Sequence, residues 1–324
     1  MLNTPIISNT PKVSVILPIY NQEKFLQKAL DSLSEQTLTD TEYICVNDGS
    51  TDNSLHILKE QAKKDPRFKI FDQRNQGTGR TRNNGIKQAR GEYIAFLDPD
   101  DWFEKKALSS LYKQAKEQNC DMLVFDYKVV DEAGNLIKKN SIAEHVKRVC
   151  NLTDGTVFTW RDIKGRLFNG LYFAAWNKMY KQDFINTHKL HFATSSIAQD
   201  APFTLSSTLN AQRIGYSATP HYNYRIHMDS AARIVSDKKM SIFQCFDSLM
   251  RVMEECGLKE ELLPEFDTFV INRCNVFLNR VASKDTFEKV RRQRISPQVN
   301  KIVDNLRETG PTIMSILDAL KLRK

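Results

Sequence analysis

From residue 13 to about 130, short β-branched runs alternate with stretches whose apolar residues recur at helical spacing. The runs are VSVILPI (13–19), EYICV (42–46), FKIF (68–71), EYIAFL (92–97) and DMLVF (121–125). Between them, Phe25, Leu26, Ala29, Leu30 and Leu33, then Leu55, Leu58 and Ala62, then Leu108, Leu111, Tyr112 and Ala115 fall on one helical face each. A short, mostly apolar run bounded by polar residues marks a strand, and a period near 3.6 marks a helix. Strands alternating with helices predict an α/β fold, with a mostly parallel sheet flanked by helices.

From 131 to 230 the pattern is less regular, with aromatic clusters WNKMY (176–180) and HYNYRIH (221–227). No linker rich in Gly or Pro separates this stretch from the first, so residues 1–230 read as one domain with halves 1–130 and 131–230. After residue 231, KKMSIFQCFDSLMRVMEE and FDTFVINRCNVFLNRVA space their apolar residues three and four apart. Residues 231–324 therefore read as a helical C-terminal appendage. Its last stretch, TIMSILDALKLRK, is amphipathic and basic and follows the run Arg291 to Arg294. A packed helix with a solvated face is the plainer reading, and docking on an anionic membrane the sharper one.

Ligands of parallel sheets bind beyond the carboxyl ends of the strands. Those ends carry Pro18, Tyr20 and Asn21, then NDGSTD (47–52), DQRNQGTG (72–79) and DPDD (98–101). Asp98, Asp100 and Asp101 directly follow an apolar strand, where mutual repulsion opposes folding. A divalent cation relieves it, and hard carboxylate oxygens suit Mn²⁺ or Mg²⁺. The competing reading has Asp98 capping the next helix and the others solvated. GTGRTRNNG (77–85) lacks both the lysine of a P-loop and the third glycine of a dinucleotide fingerprint. Arg80 and Arg82 remain available to a diphosphate at the same edge.

The chain has 324 residues, 41% apolar and 27% charged, which is ordinary globular usage and argues against disorder. No run approaches a spanning helix, and the opening MLNTPIISNT lacks the basic start and apolar run of a signal peptide, giving the expectation of a cytoplasmic protein. Six scattered cysteines without zinc spacing read as reduced thiols. A net charge of +8 suits nucleic acid, an anionic membrane face or a phosphate-bearing substrate alike.

VSVILPIYNQEKFLQKALDSLSEQT, VNDGSTDNS, NQGTGRTRNNGIKQARGEYIAFLDPDDW and WNKMY, in that order, resemble the family 2 glycosyltransferases of GT-A fold over roughly the first 230 residues. The resemblance implies inverting transfer of a sugar from a UDP-sugar to a glycan or glycolipid hydroxyl, with Mn²⁺ or Mg²⁺ bound through an Asp-x-Asp motif. It places Pro18, Tyr20 and Asn21 around the nucleotide and Asp48 on the base. Arg82 would meet the diphosphate, Asp98 the ribose and metal, and Asp100 the metal directly. The family usually has an acid before Asp48, whereas Asn47 stands here.

The family's base lies in a Glu-Asp pair before a helix, and IAQDAPF offers Gln199 and Asp200. Chemistry asks for one carboxylate that takes the acceptor proton opposite the departing diphosphate, and Asp200 is of that type; Asp200 before Ala201 and Pro202 also suits a helix start. His227 is a candidate metal ligand or a structural histidine. Trp176 either offers a ring face to an acceptor sugar or packs in the core. The implied acceptor is a bacterial surface glycan such as lipopolysaccharide, capsule or teichoic acid.

Two rivals stand beside this expectation. A phosphotransfer or phosphatase domain using LDPDD needs that motif on its first strand, with Thr or Val after the second Asp. A non-catalytic nucleotide- or polyanion-binding protein of the same fold would use the basic tail.

Overall fold

The computed structural model describes residues 10–138, 146, 149–194, 199–227 and 242–278. Ten strands form one sheet: β1 (Val13–Ile19), β2 (Thr41–Asp48), β3 (Phe68–Gln73), β4 (Tyr93–Phe96), β5 (Trp102–Phe103), β6 (Met122–Val130), β7 (Leu136–Lys138), β8 (Val157–Phe158), β9 (Lys178–Lys181) and β10 (Ile214–Arg225). The main path across it runs β3-β2-β1-β4-β9-β6-β10-β5, with β7 on β6 and β8 on β10. The helices are α1 (Leu26–Ser34), α2 (Ser54–Lys64), α3 (Thr78–Gln88), α4 (Ala107–Glu117), the short α5 (Leu167–Gly170), α6 (Gln182–Thr187), α7 (Asp200–Asn210), α8 (Ile242–Glu255) and α9 (Lys259–Leu278).

Every residue of β1 and β2 is buried, because helices cover both faces of the sheet there. This is why their middles, VILPI and YICV, are apolar runs rather than alternations. At the sheet edge only Phe68 of β3 is buried, and the rest of the strand is half-buried or exposed. On α1, Leu26, Ala29, Leu30 and Leu33 turn inward together, the face that their spacing predicts. The chain builds outward from β1 through β2 to β3, then returns to the other flank of β1 with β4, all in parallel. That reversal opens a crevice between the ends of β1 and β4, where such sheets take ligands.

Beyond β4 the sheet is mixed. The parallel expectation holds for β3-β2-β1-β4 and for β6 beside β10, but β9 runs antiparallel between β4 and β6. Ala95 pairs Met179 and Val124 pairs Lys178, so β9 begins at the edge where β4 ends. An antiparallel strand thereby delivers Lys178 to the crevice edge.

Helix α3 was not visible as a helical period, because its buried face is Gly79, Thr81, Arg82 and Gly85. A Cβ on Gly85 would run into Cγ2 of Ile16 on β1. Isoleucine is stiff at χ1, so it has little room to yield. Gly85→Ala is expected to destabilise the fold by about 1–3 kcal/mol through overpacking, read as a lower melting temperature.

The described part of the appendage is α8 and α9. Helix α8 packs on α7, and the rings of Phe168 on α5 and Phe246, Phe266 and Phe269 on α8 and α9 form a common cluster. Arg291 to Arg294 and TIMSILDALKLRK lie outside the described residues, as does the membrane contact expected of them. No helix among the described residues is long and apolar enough to cross a membrane. Cys45, Cys120, Cys150, Cys245 and Cys256 are free thiols, and burial pushes Cys120 up to about 11 and Cys245 up to about 12. Such groups stay protonated and inert at neutral pH.

Candidate active site

A cleft of about 350 Å³ opens beyond the strand ends, with Pro18, Tyr20, Asp48, Arg82, Asp98, Asp100 and His227 on its walls. Gln22, Thr78 and Thr81 complete its polar lining. A larger cleft, about 620 Å³, lies between α8 and residues 191–194 and shares no lining residue with the first. Volume alone favours the larger one; the convergence of carboxylates, guanidinium and imidazole favours the smaller.

The floor is built by cross-loop hydrogen bonds. Asp48 ends β2 and accepts from Gln73 Nε2 at 2.7 Å and from the backbone N–H groups of Gln76 and Gly77 at 2.8 and 2.9 Å. It therefore shapes the 74–77 loop while also facing the cleft. Gly49 next to it has φ +71°, and a Cβ there would lie 2.9 Å from the backbone nitrogen of Asn75, which is why this turn needs glycine. Asn47, in place of the family's acid, donates to Asp72 Oδ1 at 2.7 Å.

Tyr20 stands at the rim, 48% exposed. Asn21 is not among the lining residues. It adopts φ 51°, its Oδ1 accepts from the Thr51 N–H at 2.8 Å, and its own N–H donates to Ser50 Oγ at 3.0 Å. Its observed hydrogen bonds thus staple the loop after β1 to the loop after β2. Glu23 and Asp52 extend the staple, each accepting a backbone N–H from the other's loop.

The three aspartates after β4 part company. Asp101 is 1% exposed and turned into the fold, where its Oδ1 accepts the Arg225 N–H at 2.7 Å and its Oδ2 the Tyr222 hydroxyl at 2.8 Å. Burial, then the charges of Asp100 and Asp98, hold its carboxyl well above the usual range. It ties the turn to β10, so only Asp98 and Asp100 of these three reach the cleft. Asp100 Oδ2 meets His227 Nε2 at 3.0 Å. Burial and Asp98 raise the Asp100 pKa, while the His227 hydrogen bond pulls it back.

Arg82 is 5% exposed and bridges two carboxylates from distant parts of the chain. Its Nη2 donates to Asp98 Oδ1 at 2.7 Å and its Nη1 to Asp200 Oδ1 at 2.5 Å. Burial works against its charge, yet Asp200 and Asp98 more than offset that and raise its pKa. Asp200 opens α7 and also accepts the Ala175 N–H at 3.1 Å through Oδ2. Burial pushes its carboxyl above the ordinary range against the pull of Arg82; Asp98 adds to the rise, and the Ala175 N–H and Lys178 oppose it. Arg80 is exposed and takes no part in this bridge.

Trp176 is 8% exposed and its ring stacks on Tyr222 at 4.7 Å and Tyr224 at 5.3 Å. Of its two readings, the packing one describes this geometry. The aromatic that stands in solvent nearby is Tyr172, 46% exposed. Sequence reasoning also passed over Tyr222, whose hydroxyl donates to Asp101 and accepts the Asp98 N–H at 3.1 Å, and Lys178. Both sat inside quoted aromatic clusters, where ring content masked the polar atoms.

Among the described residues no three His, Cys, Asp or Glu side chains form a group able to hold a metal ion unaided. Asp100 and His227 do present an oxygen and a nitrogen side by side. Mg²⁺ is commonly held by one or two carboxylates plus substrate phosphates, and this pair is of the donor type that such a partial protein site uses.

The family model for glycosyl transferase family 2 matches residues 14–191. The EpsH protein of Bacillus subtilis (strain 168) is 31% identical over 318 residues, covering 93% of this chain and 87% of its own. Poly(ribitol-phosphate) beta-N-acetylglucosaminyltransferase TarP of Staphylococcus aureus (strain N315) is 31% identical over 66% of this chain and 62% of its own. Among solved structures, S. aureus TarS 1-349 in complex with UDP-GlcNAc superposes with a TM-score of 0.69 at 25% identity, over 86% of this chain and 79% of that one. The family match spans both the strand ends that carry the cleft and the turn that carries Trp176 and Lys178, and the fold agrees with that of TarS. The chain is a glycosyltransferase and belongs to glycosyl transferase family 2.

Proposed function

We propose that the protein moves a sugar from a UDP-sugar to a hydroxyl of a cell-surface glycan by a single inverting displacement, with Asp200 as general base. The observation that carries this is the Arg82 bridge. One guanidinium joins Asp98, at the end of β4 in the cleft, to Asp200, at the start of α7, which lies 118 positions from Arg82 in sequence. A donor-side carboxylate and a candidate base are thereby held at a fixed separation, as an in-line displacement requires.

In this reading Pro18, Tyr20 and Asp48 receive the nucleoside, and Asp98, Arg82 and Asp100 face the diphosphate. Asp100 and His227 would hold Mn²⁺ or Mg²⁺, which supplies positive charge for the leaving diphosphate. Asp200 takes the acceptor proton. Its raised pKa makes it a stronger base than an exposed aspartate, and its two oxygens keep lone pairs beyond those used by Arg82 and Ala175. TarP is named for transfer to poly(ribitol-phosphate) and TarS was solved with UDP-GlcNAc, which supports a UDP-sugar donor and a teichoic-acid-like or other surface polymer as acceptor.

The test is UDP release from a panel of UDP-sugars, with and without Mn²⁺, in wild type and Asp100→Asn. Metal-stimulated release is expected for at least one UDP-sugar. Asp100→Asn should weaken the apparent Mn²⁺ affinity by more than about tenfold, because even changes behind a ligand reach that size. Release that ignores both the metal and Asp100 would remove the metal from this reading.

A further inference from the structure

Lys178 is 0% exposed, yet it carries an amine that neither the cleft nor the proposed chemistry uses. Its Nζ donates to the carbonyls of Tyr172 at 2.6 Å and Ala174 at 2.7 Å and to Asn177 Oδ1 at 2.9 Å. An ammonium has three N–H bonds and no acceptor, and three oxygens surround it here. A neutral amine would turn its lone pair on one of them. The charged form therefore suits this pocket, although burial pulls the group down to about 7 and only Asp200 pulls it back up.

Such a group is costly to bury and needs a return beyond packing. The carbonyls it gathers belong to the turn between α5 and β9. The next residue along that turn, Ala175, donates its N–H to Asp200 Oδ2 at 3.1 Å. At the far end the turn is fixed to the sheet by the Phe125 N–H, which donates to the Asn177 carbonyl at 3.0 Å. The antiparallel course of β9 puts Lys178 at the edge where β4 stops. Lys178 does not line the cleft of the strand ends.

We propose that Lys178 is a positioning residue for sugar transfer, holding the 172–177 turn so that the Ala175 N–H orients the carboxylate of Asp200. The inference rests on the reading of Asp200 as the base. It assigns to the turn before β9 the task of setting the base on the side away from Arg82. The charged and titratable groups acting on Asp200 are Arg82 on α3, Asp98 after β4, and Lys178 and Tyr180 on β9. Arg82 and Lys178 favour its ionised form and Asp98 disfavours it.

The test compares Lys178→Met with wild type in the full chain, with Asp200→Asn beside them. Aspartate carboxyl carbons are labelled, and the Asp200 resonance is assigned as the one lost in Asp200→Asn. Lys178→Met is expected to shift the Asp200 titration midpoint upward, leave UDP affinity as in wild type, and lower kcat for UDP-sugar turnover by about 10- to 100-fold, the scale of a misplaced catalytic group. A merely structural lysine would lower the melting temperature and leave kcat as in wild type, with the midpoint moved only by the lost charge. If Lys178→Met gives no cooperative melt, Lys178→Gln, which keeps two N–H donors without the charge, is read in its place. Wild-type kcat in the Lys178 variant, while Asp200→Asn is inactive, overturns the role of Lys178 alone. Full turnover in Asp200→Asn overturns the base assignment and this inference with it.

Discussion

Asp200→Asn is expected to lower kcat for transfer by about 10²- to 10⁴-fold, the usual worth of a positioned general base. UDP affinity should stay near wild type, since Asp200 does not line the strand-end cleft proposed for the nucleotide. Asparagine keeps the shape and can still accept from Arg82, so the loss would report proton transfer and not collapse of the site. As the proposed base, the same carboxylate would set the acid side of the pH profile. It works only when ionised, and burial pushes its pKa up. Activity is therefore lost as pH falls through that raised value, so the acid limb of kcat should sit above the range of an ordinary exposed aspartate. Steady-state rates across pH, with a thermal melt at each point, check both statements.

Arg82→Met carries the second large effect, on stability as much as on turnover. Arg82 is 5% exposed and neutralises Asp98 and Asp200 together. Removing one member of a buried ion pair leaves charge uncompensated and costs about 3–5 kcal/mol. Because Asp98 and Asp200 keep some exposure, with side chains 25% and 21% accessible, the lower end of that range is expected. The melting temperature should fall in Arg82→Met and recover in part when Asp98→Asn and Asp200→Asn are added, since the repelling charges are then gone. Lys at this position should rescue poorly. One ammonium lacks the planar fork that reaches two carboxylates in fixed geometry. Differential scanning of these variants separates this account from simple loss of packing, which the added substitutions would not repair.

How much of this was legible in the sequence depended on which force set each element. Strands β1 and β2 and helix α1 bury apolar side chains, so the apolar runs of the strands and the spacing along the helix gave them away. Helix α3 buries Gly79, Thr81, Arg82 and Gly85 instead, and a hydrophobic pattern has nothing to register there. Strand β9 is only KMYK, and its antiparallel place between β4 and β6 is fixed by pairing with strands far away in the chain. The Asp98-x-Asp100-Asp101 run announced a site, but not that Asp101 turns the other way. Adjacent residues after a strand point to different sides, and only the Tyr222 and Arg225 partners on β10 show which one is inside. Asn21 read as a nucleotide contact because it adjoins Tyr20; its positive φ and its bonds to Ser50 and Thr51 place it in loop closure. Asp200 was legible by residue type and motif order, whereas its tether to Asp98 through Arg82 is a property of the folded chain alone.

The central claim is that a nucleotide diphosphate sits where β1, β2 and β4 end, completing a metal site begun by Asp100 and His227. A crystal structure of the protein grown with UDP and Mn²⁺ tests it most directly. The account predicts the uracil beside Pro18 and Asp48, and an ion touching Asp100, His227 and the diphosphate. Well-ordered UDP bound elsewhere, with no ion between Asp100 and His227, would contradict it.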